Sequence, residues 1–204
     1  MTNILAVCSA LNNTYIAIQT NNNIYSKIIK SDESNYHSLY LIKEIKNLVN
    51  SLNFSLSDLN YITANLGPGS FTGIRVSLTV AKVMAQELDI PLVGLNCAEI
   101  LLDAYDCDYF LMDARRDMYY LGTKDKIELI YKDDLTQLQG KIVCDKRCTE
   151  KFKNAVCYED NDTDLGKTMI KLAQNKYNNS TNKDEFNYLN VKANYIQTPP
   201  VFTH

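Results

Sequence analysis

Apolar and polar positions alternate through the first thirty residues, then change to a helical spacing. Asn3–Cys8, Thr14–Gln19 and Ile24–Lys30 read as three short strands, with Asn12-Asn13 and Asn21-Asn22-Asn23 as the turns between them. From about Tyr36 to Leu52 the apolar residues recur at three and four, which predicts a helix. Tyr61–Leu66 follows as a buried strand, then a helix from Thr72 to about Leu88 and a strand at Leu92–Leu95 introduced by Pro91. The order βββαβαβ describes one lobe of an α/β domain with three antiparallel strands at its start.

A second lobe begins near Asn96, dividing the chain into 1–95 and 96–204. It opens with an apolar helix to about Tyr105. Strands at Tyr109–Met112 and Met118–Thr123 flank an Asp113-Ala114-Arg115-Arg116-Asp117 turn. Ile127–Tyr131, Lys141–Cys144 and Ala155–Tyr158 are weaker strand patterns, and Thr163–Gln174 a last helix. Gln174–Asn187 (QNKYNNSTNKDEFN) is polar and asparagine-rich, so a solvent-exposed connection is expected there.

Both front helices carry more apolar surface than one sheet requires. On the second, Ile74, Leu78, Ala81, Ala85 and Leu88 form one stripe, and Val76, Val80, Val83 and Met84 another. Together they span an apolar arc of roughly 220°, where a helix on a single sheet needs only about 100°. The first helix has a core stripe of Leu41, Ile45, Leu48 and Leu52, with Tyr36, Leu39, Tyr40, Ile42 and Val49 spread around it. Burial between two layers of the same domain is one explanation. A partner surface is the other. The candidate interface is Leu39, Tyr40, Val76, Val80, Val83 and Met84, although the spacing leaves open which stripe faces outward.

Between the strand at 61–66 and the second helix lies GPGSFTGIR. Its Gly67, Pro68, Gly69, Ser70, Phe71, Thr72 and Gly73, with Arg75 one turn into the helix, form a candidate phosphate or partner loop. Glycines at a helix start let the backbone turn tightly and aim N–H groups at an anion or another backbone; a plain tight turn is the alternative. The spacing excludes a Walker loop, because Ile74-Arg75 stands where Lys and Ser/Thr are needed. It is also not a dinucleotide fingerprint, which opens on the first strand of its unit.

Composition narrows the chemistry. The formal net charge is −3 and no run of Lys/Arg exceeds two residues, which argues against autonomous tight binding of nucleic acid. The opening MTNILAVCSA lacks a basic start and a long apolar run, and no apolar segment approaches a membrane span, so a cytoplasmic protein is expected. The cysteines at 8, 97, 107, 144, 148 and 157 match no disulfide framework or zinc spacing and read as reduced structural thiols. With only His37 and His204 present, a histidine triad or metal centre has almost no material. His37 reads as a capping or packing residue. No catalytic residue and no metal site is assigned.

GPGSFTGIR within this βββαβαβ unit resembles the TsaB (YeaZ) family closely. So do His37-Ser38 at the head of a Leu-rich helix, Pro91-Leu92-Val93-Gly94, and Met112-Asp113-Ala114-Arg115-Arg116. Ala193-Asn194-Tyr195-Ile196-Gln197 is a fainter echo of the family's closing motif, and the likeness is concentrated in residues 1–120. The resemblance implies a two-lobed fold of the actin, sugar kinase and Hsp70 class. It implies a role in making N6-threonylcarbamoyladenosine beside the tRNA anticodon, pairing through the front helices with a catalytic sister, TsaD, joined by the ATPase TsaE. In the sister, two histidines four apart hold a metal; the matching positions here are Cys97 and Leu101, and leucine ligates nothing. Cys8 stands where nucleotide-binding relatives carry an acid. The expectation is a non-catalytic scaffold with no cofactor of its own, ATP or ADP entering only at the junction with its partner, and tRNA met through the complex. Alternatives are a stand-alone ATPase or kinase of that fold, a glycoprotease-like hydrolase, or a homodimer through the same helices.

Overall fold

The computed structural model describes residues 2–30, 37–149, 151–152, 155–160 and 163–196; the side chains of 37–39 and 136–137, and with them the candidate Leu39, lie outside that description, as does Gln197. Two five-stranded sheets organise these residues. The first has the order β3-β2-β1-β4-β5, from β1 (Ile4–Cys8), β2 (Thr14–Thr20), β3 (Asn23–Ile29), β4 (Tyr61–Asn65) and β5 (Leu92–Leu95). β1 to β3 pair antiparallel, while β4 and β5 run parallel to β1. Central β1 reads ILAVC without alternation because both of its faces are covered. Edge strand β3 alternates between exposed and half-buried positions.

Helices α1 (His37–Ser51) and α2 (Phe71–Leu88) cover one face of this sheet. α2 starts cleanly because the Ser70 side chain accepts the Gly73 N–H at 3.2 Å, and it stops at Asp89 in the left-handed conformation, φ 51°. α1 is tied to β3 by the ion pair of Lys27 with Glu44.

The second sheet has the order β10-β9-β6-β7-β8, built from β6 (Tyr109–Asp113), β7 (Met118–Gly122), β8 (Ile127–Tyr131), β9 (Ile142–Cys144) and β10 (Val156–Cys157). Helix α3 (Cys97–Tyr105), opened by an Asn96–Glu99 capping box, packs between this sheet and α5 (Leu165–Asn179). A short α4 (Lys146–Thr149) adds Cys148 to a small core with Leu111, Tyr119 and Leu135.

Three sequence expectations change. α5 continues to Asn179, beyond the expected end at Gln174, so the front of the polar stretch is helix and not a solvent-exposed connection. Its Tyr177 stacks on Tyr61 at 4.8 Å and on Phe186 at 5.2 Å, and Phe186 is buried in a 3-10 turn at Lys183–Phe186. Two aromatic anchors thus hold a segment whose polar composition suggests solvent. Secondly, α5 packs on β1, β2 and β5, although it follows the division at residue 96. Ser26 Oγ donates to the carboxylate of Asp164, the α5 cap, joining that helix to β3. Thirdly, residues 188–194 return to the first lobe: Val191 is buried with the α1 and α2 core, and the Asn194 N–H donates to Leu66 O at 2.8 Å. No helix among the described residues is long and apolar enough to cross a membrane.

Candidate functional site

The glycine loop is built onto the end of β1. The Ser70 N–H donates to Ala10 O at 2.7 Å, and Ser9 Oγ donates to Gly73 O at 3.1 Å. A Cβ on Gly69 would stand 2.2 Å from Ala10 O, and one on Gly73 would stand 1.7 Å from Ser9 O. The glycines therefore serve contact between two backbones of this chain. The Gly67 N–H is also spent inside the molecule, on Asn65 Oδ1 at 2.7 Å. The N–H groups of Gly69, Phe71 and Thr72 have no intramolecular acceptor among the described residues. Of the candidate loop, Gly67, Pro68 and Gly73 are buried and Gly69 half-buried, while Ser70, Phe71, Thr72 and Arg75 reach the surface.

Beneath the loop, Asn65 at the end of β4 binds two thiols. Its Nδ2 donates to Cys8 Sγ at 3.3 Å and to Cys97 Sγ at 3.1 Å, and the Cys97 thiol donates to Pro68 O at 2.6 Å. Both cysteines are fully buried, and loss of solvent pushes each thiol above its usual range. For Cys97 the neighbouring Cys8 adds to that rise. Leu101 lies one turn further along α3, also fully buried. Neutral thiols, an amide and leucine make a cluster suited to fixing backbone, with no carboxylate or imidazole to move a proton. No group of three His, Cys, Asp or Glu among the described residues is placed to hold a metal.

On α2 the structure separates the two apolar stripes. Ile74, Leu78, Ala81 and Ala85 are buried against the sheet. Val76, Val80 and Met84 are half-buried and packed at the margin of the α1 and α2 core, and Val83 is 53% exposed. On α1, Leu41, Ile45 and Val49 face the core while Tyr40 is 48% exposed. Ile42, counted from the sequence in the extra apolar surface of the first helix but not in the candidate interface, is also open, at 64%. Of the described candidate interface residues, Tyr40 and Val83 thus reach solvent on the helical face of the first sheet, while Val76, Val80 and Met84 are only partly open there.

One feature at the loop was missed from the sequence. Tyr195 packs against Phe71 with ring centroids 5.3 Å apart, and the Arg75 guanidinium lies 5.0 Å over the Phe71 ring. The faint closing motif around Tyr195 was the available signal. Elsewhere, an open pocket of about 570 Å³ lies between α3 and α5, where Lys176 is already tied to Glu99 Oε1 and Gly94 O, both at 3.0 Å.

The family model of TsaD, tRNA N6-adenosine threonylcarbamoyltransferase, matches residues 14–189. The tRNA threonylcarbamoyladenosine biosynthesis protein TsaB of Bacillus subtilis is 30% identical over 178 residues, 82% of this chain and 74% of that one. TsaB of Buchnera aphidicola from Schizaphis graminum is 32% identical over 98 residues, 48% of this chain and 46% of its own length. A crystal structure of a Pseudomonas aeruginosa protein described as similar to the peptidase YEAZ superposes with a TM-score of 0.75, covering 97% of this chain and all of that one at 16% identity. That last likeness concerns the fold alone.

Proposed function

Because the chain belongs to the TsaB (YeaZ) family and has the two-lobed α/β fold of the actin, sugar kinase and Hsp70 class, we propose that it is a non-catalytic subunit in the synthesis of N6-threonylcarbamoyladenosine on tRNA. It docks on a TsaD-type catalytic subunit through the outer surfaces of α1 and α2, with the ATPase TsaE joining the assembly. tRNA is met through the complex.

One observation carries this reading. α2 has its sheet-facing stripe packed and still leaves Val83 exposed, beside Val76, Val80 and Met84, which the chain's own α1 and α2 core covers only in part. Apolar ridges in such pairs pack against helices of another chain as they do inside a bundle. The non-catalytic part is supported by the chemistry under the loop, where Cys8 and Cys97 are held neutral and Leu101 offers no donor. Any ATP or ADP is held at the junction with the partner, where the free N–H groups of Phe71 and Thr72 at the α2 start adjoin the docking ridge.

Cells depleted of their own TsaB and carrying the double variant Val80→Glu, Met84→Glu should lose the modified adenosine, whereas Cys8→Ser should retain it. Normal modification with the double variant would overturn the docking reading.

A further inference from the structure

The chain uses lysine seventeen times and arginine four times. Three of the four arginines, Arg115, Arg116 and Arg147, gather at one end of the second sheet. Arg115 and Arg116 form the tip of the β6–β7 turn, in the Asp113-Ala114-Arg115-Arg116 motif to which the docking reading gives no role. Their backbone is unusual. Arg115, Arg116 and Asp117 all lie in the left-handed region, with φ at 68°, 55° and 56°. Glycine and asparagine adopt that conformation readily, which is why Asn-Gly favours such turns, whereas arginine there is strained. Three main-chain bonds hold the turn in place. The Ala114 N–H donates to Met118 O at 2.9 Å, the Met118 N–H to Arg115 O at 3.1 Å, and the Lys132 N–H to Asp117 O at 3.0 Å.

Two acids beneath the turn bring the third arginine beside it. Asp113 Oδ1 accepts the Arg115 N–H at 3.0 Å, and Asp113 Oδ2 lies 3.5 Å from the Arg147 guanidinium. Asp145, itself buried, accepts the Asp113 N–H at 3.0 Å and the Cys148 N–H at 2.9 Å, which seats α4 against the end of β6. These carboxylates are spent on the framework. The Arg115 and Arg116 side chains are exposed and have no carboxylate partner among the described residues.

We infer that the β6–β7 turn, with Arg147 beside it, is an RNA-contact site that holds phosphate groups of the tRNA while the chain sits in the complex. The inference rests on the proposed role in tRNA modification within an assembly, and adds a direct contact to it. Strain of this kind is expected where side chains serve a function, and these two arginines bind nothing within the described chain. A planar guanidinium grips two phosphate oxygens at once, which the ammonium groups that supply most of the chain's positive charge do not. Asp117 offsets one of the two tip charges, and the whole chain carries −3. The turn therefore adds short-range grip on RNA that the catalytic subunit has already bound, and does not draw RNA in alone.

The test is binding of an unmodified tRNA transcript to the full-length chain assembled with the purified TsaD-type catalytic subunit of the same source, at about 50 mM and about 200 mM salt. The informative variant is Arg115→Asn with Arg116→Gly, which gives the turn residues that fit its backbone without strain. This double variant should melt no lower than wild type and assemble normally. It should nonetheless bind tRNA about tenfold more weakly, with a salt slope lower by about 1 to 2. Arg115→Lys with Arg116→Lys, which keeps the charge and loses the fork, should bind between the two. Binding within about twofold of wild type for the first double variant would overturn the inference. So would a folded variant that no longer assembles, because the turn would then be a contact with an acidic protein surface. If the wild-type chain itself does not assemble, the docking reading fails and this inference falls with it.

Discussion

The carbonyl oxygen of Ser9 lies 1.7 Å from the place a Cβ on Gly73 would occupy, so the end of β1 and the start of α2 touch backbone to backbone. Gly73→Ala cannot be absorbed by a side-chain rotation, since the obstacle is main chain. It should cost about 3 kcal/mol or more, or prevent folding. Gly69→Ala, aimed at Ala10 O and with φ at 158°, should cost a comparable amount. Chemical denaturation of the two variants checks both values.

Ser70 caps α2 through the Gly73 N–H. Ser70→Ala should therefore lower stability by about 1 kcal/mol, and Ser70→Asp should recover most of it. The small value matters by contrast. It separates the cost of an unsatisfied helix end from the much larger cost of obstructing the loop.

The thiols at 8, 97, 144, 148 and 157 all lose solvent on folding and are pushed upward, Cys144 to about 12. In the folded state they keep their protons at pH values where the unfolded chain, titrating near 8.5, has released them. Because the unfolded state then binds fewer protons, stability should be level below about pH 8 and fall steadily above about pH 9. Urea melts across this range test the sign. A thiol reagent at neutral pH should label these positions only after denaturation.

Cys8→Asp restores a carboxylate at the end of β1, in a fully buried space where the side chain meets the Asn65 amide and the backbone of Ala10 and Leu11. Burying that charge without a cation beside it, even with these hydrogen bonds, should destabilise the protein by about 2 kcal/mol. The variant should gain no ATP hydrolysis by itself, because one acid does not supply a phosphate site. Cys8→Ser should be mild. Denaturation and a turnover assay on both variants decide the point.

Much of the fold was legible because its signals are local. The Asn turns, Pro91 and the switch from alternating to helical spacing place β1 to β5 and both front helices within a residue or two of where they lie. What was not legible depends on contacts distant in sequence. Tyr177 and Phe186 look unremarkable in an asparagine-rich stretch until Tyr61 is brought beneath them. Nothing local tells α5 to return to the first sheet. Which α2 stripe packs deepest could not be read from spacing, since Val83 and Leu78 are both apolar and only the sheet's position buries the second and leaves the first exposed. The glycine loop was recognised, but spacing could not reveal that its glycines face Ser9 and Ala10 inside the same chain.

Sedimentation of the purified chain mixed with the TsaD-type catalytic subunit, with and without Val80→Glu plus Met84→Glu, bears on the central claim most directly. A stable heteromer for wild type that falls apart into separate, still-folded components for the double variant is the predicted result. A heteromer unaffected by those two charges, or a wild-type chain that sediments alone or only with copies of itself beside the catalytic subunit, would contradict it.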